Sequence, residues 1–148
     1  MGNEIIEQLG LPVDLFCAGV GTAGMFMGVA QALRSKNNQT KLVALEPASA
    51  PQLSKGITGS HKVEGIATGM VPPLLDKAYY DSVEAIEESE ARSMAKRLAA
   101  EEGILAGTSS GLNVAAAIKL ARELGPGHSI VTVACDSGMK YFASGLFN

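Results

Sequence analysis

The chain has 148 residues, 47% of them hydrophobic and 18% charged, with a formal net charge of -3 at pH 7. That length suits one domain rather than two, the composition is too apolar for disorder, and the mild acidity gives no electrostatic basis for binding nucleic acid. No apolar run approaches the ~20 residues needed to cross a bilayer, and the acidic start Met1-Gly2-Asn3-Glu4 is no signal peptide, so a cytoplasmic protein away from membranes is expected.

In chain order, Val13 to Ala18 is a short apolar run between Pro12 and Gly19, as a buried strand should be. Thr22 to Arg34 is apolar nearly all round and reads as a helix packed on more than one side. Lys41 to Glu46, closed by Pro47, is a second strand. From Pro47 to Tyr80 the chain is broken by Pro51, Gly56, Gly59, Gly65, Gly69, Pro72 and Pro73, which predicts loop and short helices with a surface or site role. Ser82 to Ile86 is a third, weaker strand. Glu88 to Glu102 carries Ala91, Met94, Ala95, Leu98 and Ala99 at helical spacing, with Gly103 as its stop. A further helix runs from Ser109 or Ser110 to Leu124, ended by Gly125-Pro126, and Ile130 to Cys135 is the last strand. The order β-α-β-loop-β-α-α-β predicts an α/β fold, a mainly parallel sheet covered by helices on both faces, in one unit over 1–148 with no linker.

The 17 glycines exceed the usual ~7%, and their placement is informative. Gly19-Val20-Gly21-Thr22-Ala23-Gly24 follows a strand and opens a helix, where free N–H groups and the helix dipole make an anion site. Taken literally, this is the G-x-G-x-x-G of dinucleotide binding, with Glu46 at the next strand end as the ribose acid for NAD or NADP. A second loop, Gly103 to Gly111, carries Thr108, Ser109 and Ser110 into a helix. A third, Cys135-Asp136-Ser137-Gly138, follows the last strand. Loops that end strands of a parallel sheet can line one crevice, so the first and third are expected to meet. His61 and His128 read as solvated loop residues, and Cys17 and Cys135 as small core residues in a reducing compartment. Two histidines and two cysteines, scattered singly, give no metal constellation.

Together the glycine loop, the strand ending in Glu46-Pro47, His61 to Gly69, Ala106 to Gly111 and Cys135 to Tyr141 resemble cysteine synthase. That family, with cystathionine β-synthase as a relative, comprises fold type II pyridoxal-phosphate enzymes. The resemblance runs from about Ile5 to Phe147 and places the chain in the C-terminal part of the family's large domain. It implies a parent activity of β-replacement on an O-activated serine to give cysteine.

By resemblance, Gly21-Thr22-Ala23-Gly24-Met25 matches the family's Gly-Thr-Gly-Gly-Thr loop that holds the cofactor phosphate. Ser109 matches the serine that bonds the pyridine nitrogen, Asp136 lies beside the pyridine end, and Gly65 lies near the substrate. Ala23 replaces a glycine and Met25 a threonine. The family's Schiff-base lysine belongs to a segment upstream of Met1, and none of Lys36, Lys41, Lys55, Lys62, Lys77, Lys96, Lys119 or Lys140 lies in its motif. A truncated chain that is inactive alone is therefore expected, acting as a homodimer or with a partner chain that carries the remaining part. A non-catalytic partner-binding protein is the other alternative.

Overall fold

A computed structural model describes residues 1–147. In chain order they form α1 (Gly2–Leu9), β1 (Leu15–Gly19), α2 (Gly24–Lys36), β2 (Lys41–Pro47), α3 (Gln52–Lys55), β3 (Ser82–Ile86), α4 (Glu88–Glu101), α5 (Thr108–Leu124) and β4 (Ile130–Val131). Short 3-10 turns lie at Lys77–Tyr79 and Gly138–Tyr141. The four strands form one parallel sheet in the order β3-β2-β1-β4.

The two-residue alternation of a strand divides the core. Phe16, Ala18, Leu42 and Ala44 face α2, where Phe26, Val29, Ala30 and Leu33 close over them. Leu15, Cys17, Val43 and Leu45 face the other way, against Leu112, Ala116 and Leu120 of α5. Helices thus cover both sheet faces, which is why β1 and most of β2 read as unbroken apolar runs. Behind α5 lies α4, brought close by Gly111: a β-carbon there would sit 2.0 Å from the Ala91 carbonyl oxygen. At the far end of α4, Gly103 at φ 69° turns the chain so that the Ile104 amide donates to Leu98 O at 3.0 Å. Among the described residues no helix is long and apolar enough to cross a membrane, and no three His, Cys, Asp or Glu side chains group as metal ligands.

Two elements differ from the sequence reading. The first helix, α1, is not marked by the pattern; it is short, and it docks where Gly2 lies so close to α2 that a β-carbon would meet Ala32 Cβ at 2.5 Å. The last strand, read to Cys135, pairs only through Ile130 and Val131. Beyond them side chains take over the ladder: Thr132 Oγ1 donates to Cys17 O at 2.7 Å, and Asn113 Nδ2 donates to Val133 O at 2.9 Å. Released from pairing, residues 132–135 diverge from β1. Cys135 therefore lies exposed at a cavity edge rather than in the core, whereas Cys17 is buried as expected.

Candidate functional site: a cavity at the carboxyl ends of the strands

A cavity of about 300 Å³ opens where β1 ends, between the start of α2, the 64–66 loop, the start of α5 and residues 133–136. Gly21, Thr22, Ala23, Met25, Gly65, Ser109 and Asp136 all line it. These are the predicted residues of four separate segments, and the fold brings them together. Gly24 is the exception: it opens α2 and borders a neighbouring cleft along α1.

The start of α2 makes one wall. Met27 N is the first helix amide bonded back, to Ala23 O at 2.8 Å, and no side chain caps the turn. The amides of Gly24, Met25 and Phe26 are the open donors that every uncapped helix N-terminus leaves. The first turn holds no acidic residue, so the positive end of the dipole is not offset. Ala23 is held at φ 69°, the left-handed region that favours glycine. Glycine at that position in the resembled loop follows from this geometry, and alanine there costs strain of about 1–2 kcal/mol. Gly21 has a different reason: a β-carbon would lie 2.1 Å from Gly65 O, because the 64–67 loop crosses here, held by Ala67 N donating to Val20 O at 3.0 Å.

The opposite wall is the start of α5 with residues 133–136. Ser109 is 4% exposed and turned to the cavity. Cys135 Sγ lies beside it and accepts from Asn113 Nδ2 at 3.5 Å. Although Cys135 as a residue is exposed, its thiol is partly buried against the cavity wall, which pushes it above its ordinary value, against the hydrogen bonds from Ser109 and Asn113, so it stays neutral at pH 7. Asp136 Oδ2 accepts from Tyr141 OH at 2.8 Å and from Lys140 Nζ at 2.9 Å, while its buried Oδ1 has no partner among the described residues. Burial, then the Asp136 carboxylate, pushes the Tyr141 hydroxyl pKa well up.

Sequence reasoning missed Asn113. Its Oδ1 accepts from Gly19 N at 2.8 Å while its Nδ2 holds Val133, so one side chain ties β1, α5 and the cavity wall together. An asparagine among alanines and leucines in a helix interior was the available signal. His61 is also corrected. It is half-buried, with Nε2 3.2 Å from Ala67 O and Nδ1 accepting from Val63 N at 3.2 Å, so it braces the 61–67 loop instead of facing solvent. His128 is exposed, as read, 3.6 Å from Asp14.

Glu46 does not serve a ribose. It is 1% exposed and accepts from Leu53 N at 2.6 Å, from Ser54 N at 3.2 Å and from Ser54 Oγ. The carboxylate holds the start of α3 and is absent from the cavity wall.

A family model described as pyridoxal-phosphate dependent enzyme matches residues 1–136, and the chain belongs to that family. A cysteine synthase of Staphylococcus aureus is 41% identical over 148 residues, covering 99% of this chain and 48% of that protein. Two solved structures share the fold closely. O-ureido-L-serine synthase has a TM-score of 0.94 at 37% identity, over 99% of this chain and 46% of that one. O-acetyl serine sulfhydrylase isoform 3 from Entamoeba histolytica has a TM-score of 0.94 at 34% identity, over 99% and 44%. The chain thus spans about half the length of the curated relatives it matches.

Proposed function

We propose that this cavity holds pyridoxal phosphate, as part of a cysteine-synthase-like enzyme that replaces the β-substituent of an O-activated serine. The observation that carries the reading is the pairing of an uncapped helix start with a buried serine across one cavity. Its shape and donors fit the group: open amides and the Thr22 hydroxyl for a phosphate on one side, Ser109 for a ring nitrogen on the other. When bound, pyridoxal phosphate supplies the electron sink for chemistry at the substrate's α- and β-carbons.

The chain's own residues have distinct parts in this reading. The amides of Gly24, Met25 and Phe26 bind the phosphate with the helix dipole behind them. Ser109 donates its hydroxyl hydrogen to an unprotonated ring nitrogen, where a carboxylate would hold a proton on it. Asp136 stands at the same end, its Oδ2 fixed by Tyr141 and Lys140. Gly65 and Ile66 line the cavity on the side this reading gives to the substrate. Among the described residues no lysine lines the cavity, and Lys140 is 65% exposed and paired with Asp136. Residues 1–148 therefore bind the cofactor without a covalent bond. In this reading the anchoring lysine of the whole enzyme lies outside residues 1–148.

Pyridoxal phosphate and NAD are each titrated into the purified chain, followed by visible absorption, borohydride reduction and intact mass. Saturable pyridoxal-phosphate binding with no mass adduct, weakened about tenfold or more in Ser109→Ala, is expected. A preference for NAD, or affinity unchanged in Ser109→Ala, overturns the reading.

A further inference from the structure

A second cavity of about 300 Å³ lies on the other side of the 61–64 segment, bounded by α4, the first residue of α5 and the turn after Tyr141. Several of its wall groups are already engaged. Both ring nitrogens of His61 bond within its own loop. Tyr141 OH donates to Asp136, and Ser144 Oγ donates to Tyr141 O at 2.9 Å. Glu88, nearby, accepts from the Lys62 amide at 2.8 Å.

The remaining lining groups form a charge pattern. Arg92, half-buried, donates one guanidinium hydrogen to Gly145 O at 3.2 Å. Lys62 adds an ammonium and Glu64 a carboxylate. Thr108 lines the same cavity and is 1% exposed, yet its Oγ1 has no hydrogen-bond partner among the described residues. A buried hydroxyl without a partner is unfavourable, and a ligand that accepts from it removes the penalty. Two cations and a hydroxyl donor call for a carboxylate, and a carboxylate on the facing loop calls for a cation.

We propose that this second cavity binds a small α-amino acid as its zwitterion. Its carboxylate is taken by Arg92, Lys62 and Thr108 Oγ1, and its ammonium by Glu64. Glu64 also lines the first cavity, and Asp136, which lines that cavity, bonds Tyr141 in the wall of the second. The two sites therefore share a wall, and the proposal stands whether or not the first holds a cofactor.

The test is L-serine titration of the isotope-labelled chain by amide NMR, with the first cavity empty and again with pyridoxine 5′-phosphate, which has no aldehyde to react. Saturable shifts at Lys62, Glu64 and Thr108 that persist with pyridoxine phosphate present are expected. Thr108→Val removes a hydroxyl that has no partner among the described residues, and exposed Lys62→Ala leaves the fold intact; each should weaken binding about fivefold or more. Acetate and methylamine should each bind more weakly than serine, and Glu64→Gln should erase the advantage of serine over acetate. The proposal is overturned by no saturation into the tens of millimolar, by shifts confined to Gly24 through Phe26, by unchanged affinity in Thr108→Val, or by acetate binding as well as serine. Failure of pyridoxine phosphate to bind speaks only against the first cavity.

Discussion

Ala23 and Gly21 lie two residues apart and restrict the cavity for different reasons. One is a dihedral constraint, since Ala23 holds φ 69° with a β-carbon. The other is a close approach, the Gly65 carbonyl against Gly21. Gly21→Ala pits backbone against backbone and should cost about 1–3 kcal/mol. Gly28→Ala, in α2 with nothing within 4 Å, should instead stabilise by about 0.5–1 kcal/mol. Urea midpoints of the two variants check this, and equal midpoints would sink the close-approach argument. Cys17 gives a pH signature. Burial lifts its pKa from 9.0 to about 11, so between those values the unfolded chain has lost a proton that the folded chain keeps. The contribution is fully present below pH ~9 and falls by about 2–3 kcal/mol as pH rises toward 11. Cys17→Ala should flatten that alkaline decline; an unchanged slope would assign it to other groups.

Among the elements, those legible in the sequence were the ones whose own residues dictate them. Ser82–Ile86 matches its predicted bounds, and the helix at Glu88–Glu101 ends one residue short of its predicted bound, two before its glycine stop. The shortened β4 was not legible, because what ends it comes from elsewhere. Asn113, 20 residues earlier, takes the Val133 carbonyl, and Thr132 turns back to Cys17. The helix α1 was illegible for a similar reason: eight residues hold few periodic positions, and its place depends on α2. The cavity's residues were named from their motifs, but Asn113, the strut behind them, was not. Asn113→Ala would leave the buried Gly19 amide unpaired and the part-buried Val133 carbonyl with only the long Cys135 Sγ contact at 3.9 Å, a loss of about 2–4 kcal/mol. Chemical denaturation should show that loss together with weaker pyridoxal-phosphate binding. A change below about 0.5 kcal/mol would mean that water or relaxation satisfies both groups.

For the molecule as a whole, parallel strands and their following loops deliver the site. The glycine loop, the 61–67 segment, the start of α5 and the 135–138 turn are far apart in sequence and meet at the carboxyl ends of β1 and β4. Glu46 ends β2 in the same sheet but has been turned to structure, capping α3, and that separates this fold from a dinucleotide binder. The central claim is that the start of α2 and Ser109 grip one molecule of pyridoxal phosphate from opposite sides. Amide NMR of the labelled chain during a pyridoxal-phosphate titration tests it most directly. The account predicts saturable shifts at Gly24, Met25, Phe26 and Ser109 that share one dissociation constant. Shifts at only one of the two walls, or none that saturate, would contradict it.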